Sequence, residues 1–523
     1  MSSLVPHRLR FLAAVTVMLF FLNASPAQSQ LRIVTYNTNT FGTEVGASPV
    51  RRARPEVDVV LEAIGEESVN GIARPADIIL LQEQQQPRTT TQDLVNRLNQ
   101  IYFGQGITYA RGFRVGNTTS GPGTGTPTSG EIRQSVVYRT DTVQLISETS
   151  FGDLSGGLIS QPRETLLHQF RPVGYGADAD LYIFNSHFEA NDDQEDLAGR
   201  ETEAREIRRY IDQNGLGNRN VIVAGDLNVD SNFESSGIGE FGGQSALQIL
   251  SADGNGRVLD PLFPNGEQVD FQIFSFGVPN SPFGVDLASQ LTQSPTGQGG
   301  SLVGGGIDDR FDFILQSDEL LDGEGVASID DSLRAFGNNG STPNTEINDG
   351  NTIQIDGLTS FTTDEVLDAL EAASDHLPVI TDFQIPAVLD AMVTNIPPQT
   401  LLLDEIFDLS VLIENGADVS VAIGADELEF QLLTTGDLIG SDSGIDLALG
   451  GGFESLVRLD TSQIGSREGE ILISSNSPSV ANGFVSIPIS FNVIAVAIPE
   501  PAAWLTLGGI TVAAVSRRRR MTS

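Results

Sequence analysis

The sequence contains no cysteine. That absence excludes disulfides, thiolate metal sites and cysteine nucleophiles, so stability has to come from packing and from bound cations. Lysine is absent too: all 29 basic residues are arginine, set against 69 acidic ones, for a formal charge of -40 over 523 residues. Such a field repels polyanions at long range and argues against a tight nucleic-acid binder that lives on direct phosphate contacts. It leaves room for an enzyme that meets phosphate through a metal, because salt shortens the range of the repulsion to a few Å. Solubility alone is the competing explanation of the acidity. Tryptophan occurs once, as Trp504, and histidine only as His7, His168, His187 and His376. The chain is too long for one ordinary core, and its length implies two or three folded units plus processing segments, two domains being the count adopted.

Both ends look like such segments. Residues 1–27 carry a cationic start (His7, Arg8, Arg10), an apolar stretch from Phe11 to Leu22, and small residues at Ser25 and Ala27. These are the three parts of a secretory signal peptide, with an uncleaved anchor as the other reading. At the far end, Pro499, Glu500 and Pro501 precede an apolar stretch from Ala502 to Val515 and four arginines, Arg517 to Arg520. That stretch is shorter than the ~20 residues a stable span needs, so it reads as a sorting tag. Its order resembles the PEP-CTERM signal of Gram-negative bacteria that make extracellular polymer. The resemblance implies export and sorting machinery as partners, removal of the tail, and delivery to the cell surface or to an exopolysaccharide matrix.

From Leu31 apolar runs alternate with amphipathic segments, the pattern of a mixed α/β domain. Leu31–Tyr36, Ile78–Gln82, Ser135–Arg139, Leu181–Ser186, Val221–Ala224, Phe311–Leu315 and Val379–Phe383 read as strands. Val57, Val60, Leu61 and Ile64 mark one helix face, and Ala204, Ile207 and Ile211 another. Gly116–Gly130 and much of Ser231–Gly306 read as long loops. After Pro386 short strands at regular spacing predict a β-sandwich with no catalytic constellation, serving as an adhesive, spacer or calcium-stabilised module. The expected boundaries are 1–27, 28–385, 386–497 and 498–523.

In the first domain polar residues gather at strand ends: Tyr36-Asn37, Gln82-Glu83, His187, Asp226-Leu227-Asn228, Asp312, and Ser374-Asp375-His376. A strand buried on both faces presents its terminal residue at the rim of the sheet, where a site can form. Taken singly, each has an ordinary reading as a turn former, a cap or a satisfied interior histidine. Two of the three histidines outside the signal segment nevertheless fall in these positions.

The strings LRIVTYNTNTFG, DIILLQE, SVVYR, NSHFEA, VIVAGDLN, RFDFIL and SDHLPV resemble, in order and wording, the endonuclease/exonuclease/phosphatase superfamily, or DNase I-like fold, over residues 31 to about 385. The resemblance implies a four-layered α/β sandwich followed by the smaller β-sandwich domain, and metal-assisted phosphoester hydrolysis. It implies that Asn37 and Glu83 hold Mg2+ (or Mn2+ or Ca2+), with Asp375 nearby, a set of oxygen donors that suits hard cations. By the same likeness His376 exchanges a proton with the attacking water while Asp312 fixes its tautomer. Asp226 orients the nucleophile, and Asn228 and His187 donate to phosphate oxygens. Arg139 matches an arginine the family places near the phosphate, with a surface salt bridge as the alternative. Trp504 leaves the aromatic pocket of abasic-site enzymes without a counterpart. Ser251–Asp260 reads as a turn before a strand, because its oxygens miss the offsets of a calcium loop. The expected activity is an exported phosphodiesterase acting on nucleic acid. A phosphatase or sphingomyelinase-type phospholipase C, and a non-catalytic surface or matrix protein, are the alternatives. No stable oligomer is inferred.

Overall fold

The computed structural model describes residues 30–39, 54–84, 87–114, 133–152, 163–229, 234–237, 244–266, 286–297 and 302–495. Both terminal segments, Gly116–Gly130 and much of Ser231–Gly306 lie outside the described residues.

Two six-stranded sheets face each other in the first domain. Their strands are β1 (Leu31–Asn37), β2 (Ile78–Gln82), β3 (Tyr109–Arg111), β4 (Ser135–Arg139), β5 (Val143–Phe151), β6 (Thr165–Pro172), β7 (Leu181–His187), β8 (Asn220–Asp226), β9 (Val258–Leu259), β10 (Asp312–Ser317), β11 (Arg334–Ala335) and β12 (Val379–Phe383). One sheet has the order β11-β12-β1-β2-β4-β3, the other β9-β10-β8-β7-β6-β5. All seven residues of β1 and all seven of β8 are buried, as strands covered on both faces must be.

The period of two sorts each strand. Leu31, Ile33, Ile78, Leu80 and Val136 of the first sheet point inward and pack against Phe170, Leu181, Ile183, Ile222, Ala224 and Ile314 of the second. Their alternates point outward and share a buried cluster with the helices: Val34, Tyr36 and Ile79 with α1 (Glu56–Glu66) and α2 (Pro87–Ile101), Phe184, Val221 and Val223 with α3 (Gln194–Gln213). The helix faces expected from the sequence are those buried. With α4 (Ala246–Ser251) and α5 (Thr363–Ala373) they complete a helix–sheet–sheet–helix sandwich, the four layers expected. The turn expected in Ser251–Asp260 leads into β9. Arg32, at an outward position of β1, is fully buried. Its guanidinium pairs with Asp382 at 2.7 Å and donates to the carbonyls of Ile64 and Ile72, fixing the end of α1 to the sheet.

The second domain is two antiparallel-rich sheets. Leu389–Val393, Asp408–Asn415, Phe453–Leu459 and Leu438–Ile439 form one, and Thr400–Leu402, Phe484–Ile494, Gly465–Ser475, Leu428–Gly436 and Ser441–Asp446 the other. It does not hang free. Ala417, Val419, Ala425 and Ala481 join the inter-sheet core of the first domain beside Phe383 and Ile385. Tyr175 donates to Pro386 O at 2.8 Å, and the Gly325 N–H to Asp426 at 2.9 Å. The second domain therefore closes the sandwich at the Leu31 end of β1, leaving the Asn37 end for the site.

Candidate active site

Strand direction decides which side chains reach that open rim. β1 with β2, and β7 with β8, run parallel and end there, whereas antiparallel β4, β10 and β12 begin there. In the second sheet the register sets Asp226 directly opposite His187 on one side and Asp312 on the other. All three occupy inward positions, so three functional groups line up across neighbouring strands. In the first sheet Asn37 lies opposite Gln82, both also inward. Below them Gln82 donates to Thr35 at 3.0 Å and to Asn185 at 2.9 Å, and Asn185 donates to Ser135 O at 2.9 Å, a polar shelf that satisfies its buried groups and stiffens the floor.

Backbone conformation supports the aim of these groups. Gly225, at φ +141°, passes so close to Ser186 O that a Cβ has no room, which explains the glycine before Asp226. Glu83 (φ 56°), Asn228 (φ 48°) and Asn39 (φ 33°) all sit in left-handed conformations, which cost about 1 kcal/mol or more each for residues with a side chain. Three such residues at one rim mark a site held in place by its surroundings.

His376 precedes β12, and its Nδ1 lies 2.8 Å from Asp312 Oδ2. Its Nε2 faces the cleft, 3.7 Å from Asp226 Oδ2 and 3.5 Å from Gln293 Nε2. Burial works against a charged imidazole here, yet the carboxylates of Asp312 and Asp226 outweigh it and hold the His376 pKa well above the ordinary value. His187 is the opposite case. Burial, then Arg163 and His376, push its pKa well down, leaving a neutral ring. Burial raises Glu83, with His376 opposing and Asp375 reinforcing the shift, and Asp226 moves up for the same principal reason.

Glu83, His187 and Asp226 place their ligand atoms within 4.8 Å of one another. His187 Nε2 is 3.4 Å from Asp226 Oδ2 and 3.9 Å from Glu83 Oε1, too long or too oblique for firm hydrogen bonds but short enough to close on one cation. His187 Nδ1 and Asp312 Oδ1 are buried without a hydrogen-bond partner. Two carboxylates and an imidazole fit a divalent cation. Asn37 donates to Asp226 at 3.0 Å and also hydrogen-bonds Glu83, bridging the two sheets.

Asp375 is placed differently from the expected ligand. Asn39 donates to both of its oxygens, at 3.0 and 2.9 Å, and the Val303 N–H to one of them at 2.8 Å, so its effect on Glu83 is exerted through its charge. Asn228 takes its N–H to Asp226 Oδ1 at 3.1 Å and donates through its amide to Phe188 O at 3.0 Å.

Arg139 is not brought to the site. Antiparallel β4 starts at the rim and ends four residues away, about 13 Å off at ~3.3 Å per residue. There Arg139 pairs with Asp77 at 3.3 Å and Asp141 at 2.5 Å, which is the salt-bridge alternative in buried form. The arginine near the site is Arg163, which precedes β6 and bears electrostatically on Glu83 and His187. Its only sequence mark was a position between a glycine-rich stretch and an apolar run. Asn39 and Gln293 were also missed. Asn39 repeats Asn37 two residues on, whereas nothing local distinguishes Gln293.

No family model matches this chain, and no curated protein matches it. Among solved structures it is similar to an endonuclease/exonuclease/phosphatase from Beutenbergia cavernae, at 14% identity and TM-score 0.37, over 89% of this chain and 100% of that one. It is also similar to the human nocturnin catalytic domain with bound sulfate, at 12% identity and TM-score 0.37, over 69% and 95%. A third likeness is to a mannosyl-6-phosphatase from Bacteroides thetaiotaomicron, at 14% identity and TM-score 0.35, over 68% and 99%. Identities this low, at TM-scores below 0.5, leave the function to be read from the residues.

Proposed function

We propose that this chain is an exported, divalent-metal-dependent phosphodiesterase of the endonuclease/exonuclease/phosphatase kind that cuts nucleic acid. The observation that carries the reading is the register-locked row His187–Asp226–Asp312, completed across the cleft by His376, Asn37 and Glu83.

Glu83, Asp226 and His187, with Asn37 beside them, would hold Mg2+ or a similar cation, which when bound supplies charge neutralisation for a phosphate oxygen. Asp312 accepts from Nδ1–H of His376 and leaves Nε2 aimed at the cleft, where it takes a proton from water. Asp226, 3.7 Å from that nitrogen, orients the same water. Asn228 and Arg163 both donate to Phe188 O beside the rim, and the charge of Arg163 bears on Glu83 and His187, where negative charge gathers in the transition state. Export rests on the segments 1–27 and 498–523. Intact mass of protein from the surface fraction tests it, and a full-length cytoplasmic species would refute it.

The deciding experiment assays purified residues 28–497 with Mg2+, Mn2+ or Ca2+ against plasmid DNA, RNA, bis-p-nitrophenyl phosphate and sphingomyelin. The acidic surface should make nucleic-acid cleavage rise with moderate salt, the reverse of a phosphate-gripping nuclease. If no nucleic acid is cut at any ionic strength while sphingomyelin or a phosphomonoester is turned over, the substrate class proposed here is wrong.

A further inference from the structure

Glu203 is a carboxylic acid with no exposure to solvent, on the inner face of α3, and the chemistry above does not use it. Its Oε1 accepts the Arg163 N–H at 3.0 Å and its Oε2 the Glu189 N–H at 3.0 Å. These are the two backbone segments that border the site on the second sheet. They are also tied to each other, since Arg163 donates from Nη1 to Phe188 O at 2.5 Å and from Nη2 to Glu189 at 3.3 Å. Phe188 O accepts from Asn228 as well, and the Phe188 N–H goes to Asp226 O at 2.9 Å. Every polar main-chain group of Phe188, and the N–H that follows, is therefore committed, directly after His187.

We infer that Glu203 is a positioning residue of the active site: from α3 it clamps the main chain at Arg163 and after His187, and through them sets the aim of Arg163, His187 and Asn228. This rests on the phosphodiesterase reading. Helix packing alone does not explain a carboxyl group here. Glutamine has the same shape and would fill the same space, but it offers one acceptor oxygen, and its NH2 would oppose the second N–H. A carboxyl group takes both, because each of its oxygens accepts whether or not it carries a proton. Its retention is costly, since burial lifts its pKa to about 8 even with Arg163 opposing the shift.

The test compares full-length wild type with Glu203→Gln, Glu203→Asp, Arg163→Ala and the Glu203→Gln/Arg163→Ala double variant. Turnover of bis-p-nitrophenyl phosphate is expressed per folded molecule, and the imidazole resonances of His187 and His168 are followed by NMR. Glu203→Gln should lower kcat by about 10- to 100-fold, the scale of a misplacement near 1 Å. Glu203→Asp, which keeps both acceptors, should recover part of the loss. The double variant should lose little more than its worse parent, because the two residues act in one chain. His187 resonances should move and those of His168 should stay. Unchanged kcat in a folded Glu203→Gln, additive losses, or unmoved His187 resonances each overturn the inference. If wild type hydrolyses no phosphodiester, the functional reading fails, and the His187 resonances still decide the role of Glu203. Glu203→Ala, which strands two buried N–H groups, is avoided because it can fail by unfolding.

Discussion

Nδ1 of His376 and Oδ2 of Asp312 meet at 2.8 Å across the two sheets, one residue preceding β12 of the first and the other opening β10 of the second. The imidazole proposed to move the proton thus takes its aim from the opposite wall of the cleft. Its raised pKa has a definite sign. The folded protein binds this proton more tightly than the unfolded chain, so the stability it contributes is fully present below about pH 6.5 and is lost as pH rises through the folded value. As a base His376 must be neutral, so the rate should climb with pH well above the usual histidine range. Asp312→Asn should move that limb toward ordinary histidine values and lower the maximum about 100-fold. A pH–rate profile checks both, and a limb that does not move refutes the pairing.

Glu83 and Asp226 carry the same pH sign as His376, and add to it a dependence on metal. Both are raised by burial, so the metal-free protein loses stability as pH climbs from the ordinary carboxylate range through their raised values. A cation that binds the charged forms offsets this. A fixed Mg2+ concentration set at 100 times its Kd at pH 8 should add about 2.7 kcal/mol there and less at pH 5, where the ligands bind protons, seen as a larger rise in Tm at pH 8. Glu83→Ala should flatten that difference and abolish turnover that chelation removes and Mg2+ restores in the wild type. Equal Tm gains at the two pH values would count against this carboxylate set.

The two arginines should separate cleanly. Arg139→Ala should leave kcat within about two-fold and cost about 1–3 kcal/mol in unfolding, since it strands the buried Asp77 with fewer partners. Arg163→Ala should lower kcat at least ~10-fold. Kinetics and thermal unfolding of both variants decide, and the reverse pattern would return Arg139 to the site.

The strand ends were legible because buried strands leave a run of apolar letters that stops at a polar one. Their direction was not. An apolar run reads the same whether its first or last residue meets the rim, and pairing across the sheet decides. Asp312 opens its strand and Arg139 closes one, so the same kind of signal led to a residue in the site and to one remote from it. β5 and β6 went unread because one is half-exposed without strict alternation, and in the other His168, Gln169 and Arg171 interrupt the apolar run. The contacts of Asn39, Arg163 and Gln293 arise between segments far apart in the chain, where no spacing rule reaches.

With no catalytic constellation after Pro386, the sequence implies that this region is dispensable for the chemistry. The structure changes that expectation, because Ala417, Val419 and Ala425 cover Phe383 and Ile385 at the base of the catalytic core. A chain ending at Ile385 uncovers large apolar side chains worth about 1.5–3 kcal/mol each. It should unfold at a markedly lower temperature and lose hydrolysis by unfolding, with activity recovering in the cold. Unchanged Tm in the truncated chain would show that the junction contributes nothing.

The same junction fixes which way the molecule faces. Phe484–Ile494 leads away from it for 11 residues, about 36 Å, and the described chain stops just beyond, at the end of the second domain remote from the cleft. The rim that carries the proposed site lies at the opposite pole, a further strand length past the junction. Anything that holds the protein at residue 495 therefore holds it by the pole opposite the cleft, with the length of the second domain between the two.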